Sequence, residues 1–207
     1  MPSLDAAQRR RLPFFIAQGA LQCAFLVGMV LSAIQGRFLP VGQLFCALVL
    51  TVLPSFLARK FNWQWQDLYQ LVVSVFVFLC IFLGTYLDIY EIFPWWDDFL
   101  HFCSGALFCI AGIIVVNTVL SRRQAALPFA FILLFGFCFA MTSAGLWEIW
   151  EFSTDRLFGF NSQEWLNGYD AGLFDTMMDI IESTVGSILV MLCAGIGRKA
   201  RAKRPAD

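Results

Sequence analysis

Six stretches of roughly twenty apolar residues, separated by short polar breaks, constrain this chain more than any other feature. They run over about 14–35, 40–58, 67–88, 98–120, 128–152 and 174–197. A bilayer core of about 30 Å is crossed by about 20 helical residues. Inside lipid only a helix or a closed barrel satisfies every backbone polar group. The chain is therefore expected to be all-α, a polytopic transmembrane helical bundle of six spans. Of the 207 residues, 59% are hydrophobic and 14% charged, whereas a soluble domain carries about 25% charged residues. Too little charge is present to cover a water-facing surface. Breaks fall at Gly36-Arg37, Arg59-Lys60, Pro94, Ser121-Arg122-Arg123, the polar stretch 154–173 and Arg198-Lys199. Pro54 lies inside the second stretch; membrane helices accept proline where neighbours satisfy the freed carbonyl.

The basic residues orient the spans. The N-terminal tail 1–13, the 2–3 and 4–5 loops and the basic tail 198–207 hold twelve Lys and Arg, against two, Arg37 and Arg156, on the other side. By the positive-inside rule both termini are cytoplasmic, and 154–173 is an outer loop. Arg9-Arg10-Arg11 precedes an apolar run longer than a signal-peptide core and without a small-residue exit, so that run reads as a retained first span. The seven cysteines all fall in apolar runs without CxxC spacing and read as small core residues. Basic residues cluster only at span ends, which gives no nucleic acid a binding face.

Twelve of the fifteen acidic residues gather at or near the outer end. Charge of this sign barely affects topology, so the bias has another cause. Span 4 enters with Asp97-Asp98 and His101, span 5 leaves with Glu148 and Glu151, and span 6 re-enters with Asp175, Asp179 and Glu182. Residues three or four apart share a helix face. Asp97 therefore pairs with His101 and Glu148 with Glu151, while Asp175, Asp179, Glu182 and Gly186 form one stripe. Fifteen residues from Glu182 to Gly197 are too few to span, so Asp179 and Glu182 lie within the hydrocarbon.

A charge at mid-bilayer costs at least about 2.5–3.5 kcal/mol. Shared protons, a wet cavity or a bound cation would each relieve it. Carboxylates with one imidazole suit Mg, Mn, Fe or Zn. The expected divalent-metal shell is Asp97, His101, Glu148, Glu151, Asp175 and Asp179, with Glu182 and Asp98 as candidate catalytic proton-transfer groups. The plainer readings stand beside this one. Charges at span ends ordinarily face the aqueous boundary, which covers Asp88, Glu91, Asp98, Asp155, Glu164 and Asp170, and a lone histidine is ordinarily a satisfied core residue. The loop 154–173 serves either as a lid over the cluster or as a simple outer linker.

Asp97-x-x-x-His101-Phe102-x-x-Gly105, Glu148-x-x-Glu151 and Asp175-x-x-x-Asp179 with Gly186 seven residues on resemble the YjdF-type bacterial inner-membrane proteins, over spans 4 to 6. More distantly the chain is similar to VanZ-like membrane proteins, with Glu151 and Asp179 standing where those carry amides. The resemblance implies a multi-pass protein of the bacterial inner (cytoplasmic) membrane with a shared polar site, and supplies no reaction. Three functions stay open: a metal-dependent enzyme acting on a lipid or lipid-linked small molecule, a proton- or cation-coupled carrier using Asp179 and Glu182, and a non-catalytic membrane partner or assembly factor. No HExxH, Ser-His-Asp or P-loop pattern is present to fix a reaction type.

Overall fold

The computed structural model describes residues 6–60 and 67–202. Asp5, Asp207, Lys203 and Arg204, which enter the sequence-based count of charge by side, lie outside the described residues, as do the side chains of Arg9, Arg10, Arg59 and Arg201. Among the described residues there is no strand. Six helical segments are long and apolar enough to cross a membrane: Arg11–Ile34, Phe38–Phe56, Asp67–Tyr86, Trp96–Arg123, Phe129–Phe158 and Tyr169–Ala200. Their outward faces carry large apolar side chains such as Val30, Ile34, Phe131, Ile149 and Ile188, the surface expected where the solvent is lipid. The chain divides into two compact units, residues 1–96 and 97–207.

The first unit holds α1 (Ala6–Ile34), α2 (Phe38–Lys60) and α3 (Asp67–Val77), which continues as a π-helical segment Phe78–Tyr86, followed by the short α4 (Ile89–Ile92). Phe25, Leu44, Ala47 and Val77 form its buried core, with Phe78 and Phe82 stacked at 4.8 Å beside it. Pro54 removes one donor from the turn of α2 that starts at Leu50. At that turn the Thr51 carbonyl accepts the side-chain amides of Gln18 on α1 (2.9 Å) and Gln70 on α3 (2.8 Å). Neighbouring helices thus supply donors one residue along from the carbonyl that the proline leaves without its own. Arg11 binds Asp67 through two parallel bonds of 2.6 and 2.7 Å, tying the start of α1 to the start of α3.

The second unit holds α5 (Trp96–Arg123), α6 (Phe129–Phe158) and α7 (Tyr169–Ala202), with a 3-10 turn at Trp165–Asn167. Small residues set its helix spacing. A Cβ at Gly105 of α5 would run into the Ser183 carbonyl of α7, and one at Gly186 of α7 into the Phe102 carbonyl of α5. On α6 the buried residues Gly136, Ala140, Ala144 and Glu148 repeat every fourth position, and Gly136 lies against Gly112 of α5. Close approach through small residues is how membrane helices associate without a hydrophobic driving force. Ser183 donates its hydroxyl to the His101 carbonyl at 3.1 Å, and the Ser187 hydroxyl lies 3.1 Å from the Gly105 carbonyl, adding hydrogen bonds across the same seam.

Helices α6 and α7 run further than the apolar stretches that announce them. The polar stretch 154–173 therefore reduces to residues 159–168 between helices. All seven cysteines are free, but only Cys109 is buried; Cys23, Cys46, Cys138 and Cys193 face outward. In lipid an apolar thiol has no reason to seek the interior.

Candidate functional site

The seams that hold α5, α6 and α7 together end in acids. Going up α6, the buried stripe of Gly136, Ala140 and Ala144 continues as Glu148, Glu151 and Asp155. On α7 the buried Ser187 and Ser183 lead to Asp179, and on α5 Cys109 and Gly105 lead to His101. At about 1.5 Å per residue, His101 stands 21 residues or about 32 Å from Arg122, and Asp179 stands 19 residues or about 28 Å from Arg198. Glu148 stands 20 residues or about 30 Å from Pro128. All three lie about one hydrocarbon thickness from the basic end of the unit. The heights agree because the three helices have matching lengths between their basic ends and their acids.

His101 Nε2 lies 3.7 Å from both Asp97 Oδ1 and Asp179 Oδ2. Asp97, His101 and Asp179 bring one ligand atom each within 4.8 Å of one another, and so do Glu148, Glu151 and Asp179. Asp179 belongs to both sets. Burial is nearly complete: Asp179 is 2% exposed, Glu148 6% and Glu151 9%. Even so, Asp179 Oδ2, Glu148 Oε1 and Glu151 Oε2 have no hydrogen-bond partner. Among the described residues the ion pairs of these acids run to His101 alone, with no lysine or arginine. The indole N–H of Trp147 donates to Glu151 Oε1 at 2.9 Å and orients that carboxylate.

The six expected shell residues therefore divide. Five come together in the two sets. Asp175, one turn before Asp179, is half-buried within electrostatic range of Asp97 and Glu148, and its Oδ2 is unpartnered, but it joins neither set. Glu182, expected on the stripe with Asp179, is turned aside. It lines a groove of about 400 Å³ with Asp98, Phe99, Phe102, Met178, Ile181 and Val185. The positions Ser183, Gly186 and Ser187 occupy the buried line instead, since only small side chains fit against α5. Asp98 and Glu182, the two proton-transfer candidates, thus share one groove beside the acids.

Two further residues complete the site. Asp155, which a boundary reading would leave in water, is 2% exposed. Its carboxylate accepts the backbone N–H groups of Ser162 (2.9 Å) and Gln163 (3.0 Å) and so folds the 159–168 loop inward. Gln163 is thereby buried, and its amide nitrogen donates to Thr176 Oγ1 (2.9 Å) and Glu148 Oε2 (3.2 Å). Arg156 packs over the Trp165 ring at 5.0 Å and steadies the loop from outside. Replacing Asp155 with alanine strands one buried N–H donor, that of Gln163, at a cost of about 1–3 kcal/mol, and leaves that of the exposed Ser162 to water. Faster amide exchange at Ser162 and Gln163 and faster proteolysis within 159–168 are the expected results. Asp155→Asn, which keeps an acceptor oxygen, retains part of the protection; unchanged exchange in the alanine variant would show that the loop is held by other contacts.

Comparison with known proteins agrees with a membrane protein. The model of the family described as predicted membrane protein (DUF2238) matches residues 17–200. An uncharacterized protein of Thermotoga maritima is 35% identical over 118 residues, which are 56% of this chain and 56% of that protein. The match thus spans about half the length of this curated relative. No solved structure matches. The family match is consistent with the resemblance to YjdF-type membrane proteins, and the VanZ-like similarity rests on the motifs alone.

Proposed function

We propose, from the premise that the chain belongs to the DUF2238 family of predicted membrane proteins, that its last three helices build a divalent-cation centre. The protein would work at the outer face of a bacterial cytoplasmic membrane on a lipid or lipid-linked substrate. One observation carries the reading: buried carboxylate oxygens of Asp179, Glu148 and Glu151 converge without hydrogen-bond partners. Native structures rarely leave such groups unsatisfied, and a bound ion is among the ordinary explanations. The donor set of carboxylates and one imidazole suits Mn, Fe or Zn.

A cation held there would polarise a phosphoryl or carbonyl oxygen or activate water. Asp98 and Glu182 supply candidate proton acceptors in the adjoining groove. The apolar members of that groove, Phe99, Phe102, Met178, Ile181 and Val185, give an acyl or prenyl chain a place to lie while its head group reaches the acids. A substrate already dissolved in the bilayer would arrive laterally and need not cross the loop.

The metal content of the purified protein tests the reading, measured beside the Asp97→Asn plus Glu148→Gln double variant. At least one divalent ion per wild-type chain, lost in the double variant, is expected. No stoichiometric metal in either sample would end it.

The orientation is proposed from the twelve-to-two distribution of Lys and Arg. Alkaline phosphatase fused at the C-terminus should be inactive, and the same reporter inserted in the 159–168 loop active. The opposite pattern would place the acids at the cytoplasmic face.

A further inference from the structure

The two ligand sets raise a question of number: does the cluster hold one ion or two? Asp97 and His101 lie one turn apart on α5, and Glu148 and Glu151 lie one turn apart on α6. Each pair meets Asp179 of α7, yet the two pairs do not merge into a single set. Asp179 therefore stands between two half-sites, each with two ligands of its own from a single helix. A carboxylate carries two oxygens and can bind two cations at once. Paired metal centres in helical bundles are likewise built from inward-facing carboxylates with histidines at i, i+3 spacing.

Charge is consistent with the same number. The four carboxylates of the two sets, Asp97, Asp179, Glu148 and Glu151, carry a formal charge of −4 when ionised. One divalent ion would leave half of that uncompensated in a buried site without lysine or arginine partners. Two divalent ions match it. The unpartnered oxygens also fall on both sides: Glu148 Oε1 and Glu151 Oε2 in one set, and Asp179 Oδ2, the atom facing His101, in the other.

We infer that the cluster is a binuclear centre: one divalent cation bound by Asp97, His101 and Asp179, a second by Glu148, Glu151 and Asp179, with Asp179 bridging. The imidazole makes the first half-site the softer one, suited to Mn, Fe or Zn; the all-carboxylate half-site also suits Mg. The inference rests on the cation-centre reading above and adds the count and the bridge.

The full chain in detergent micelles, loaded with Mn²⁺ and desalted, provides the test. Two Mn per chain with an exchange-coupled electron paramagnetic resonance spectrum is the expected result. Glu148→Gln or Glu151→Gln should leave one uncoupled Mn, as should Asp97→Asn or His101→Gln, while Asp179→Asn should weaken both half-sites together by on the order of 100-fold. Circular dichroism and monodisperse elution identify variants that remain folded, and the wild-type stoichiometry decides even where one variant does not. One Mn per chain, lost equally on substitution in either set, would overturn the bridge and leave a mononuclear centre standing. No Mn at all would overturn both readings.

Discussion

Alanine at position 186 is expected to lower the melting temperature of the detergent-solubilised protein by about 5–10 °C, and alanine at 145 or 195 is expected not to lower it. The three glycines all lie within helices of the second unit. A Cβ at Gly186 meets the carbonyl oxygen of Phe102 and the backbone nitrogen of Ala106, atoms that cannot rotate away, whereas nothing lies within 4 Å of a Cβ at Gly145 or Gly195. Forcing atoms into a packed seam costs about 1–3 kcal/mol, occasionally more. A backbone obstacle belongs at the upper end of that range. For a domain of this size each kcal/mol moves the midpoint by about 2–4 °C. In an open helix position the same change removes the entropic penalty of glycine, worth up to about 1 kcal/mol of stabilisation. The substitution thus takes opposite signs at glycines that all lie inside helices. Equal midpoints for the alanine variants at 186 and 145 would mean that α5 and α7 do not meet as described. Because the seam continues upward into His101 and Asp179, the variant at 186 should also lose bound metal.

That contrast shows what was legible in the sequence and why. Hydrophobic length depends on bilayer thickness alone, so the six apolar helices could be read directly. Pairs such as Asp97 with His101 and Glu148 with Glu151 were legible because helical spacing fixes which side chains share a face. Glu182 shows the limit of the same rule. It lies seven residues after Asp175 and three after Asp179, close enough in angle to join their stripe, yet the seam admits only Ser183, Gly186 and Ser187. Rotation about the helix axis is set by the neighbour's backbone, which spacing within one helix does not encode. Asp155 and Gln163 were missed for another reason. Their roles depend on a loop conformation that carries no period, and the one available signal was an acid three residues before Phe158, the last residue of the lengthened α6, next to a loop whose backbone N–H groups need acceptors. The cysteines were assigned to the core by a rule learned from water, where burial and apolarity coincide; in lipid they separate.

The order of stability of wild type and Asp179→Asn is expected to reverse between chelated and metal-loaded protein. In chelator the wild-type chain must keep Asp179 buried among Asp97, Glu148, Glu151 and Asp175, with His101 as its one ion-pair partner among the described residues. Asparagine has nearly the same volume, removes one negative charge and brings two N–H donors into a site where Glu148 Oε1 and Glu151 Oε2 lack partners. Supplying donors to buried unsatisfied oxygens is worth about 1–3 kcal/mol. The chelated variant should therefore melt above the chelated wild type by roughly 2–10 °C. Metal changes the balance by mass action. At a free concentration 100 times its dissociation constant, each bound ion stabilises the folded chain by about 2.7 kcal/mol. Wild type gains that once or twice, and the variant, missing the ligand common to both sets, gains little. The two midpoints should cross between 1 mM EDTA and saturating Mn²⁺ (the conditions to be compared, on the order of 100 times Kd at the upper end). An acid held only for structure behaves differently: its removal lowers the midpoint in both conditions. A wild type more stable than Asp179→Asn even in chelator would therefore mean that the protein already satisfies this carboxylate, and the case for a cation would fall at its central residue.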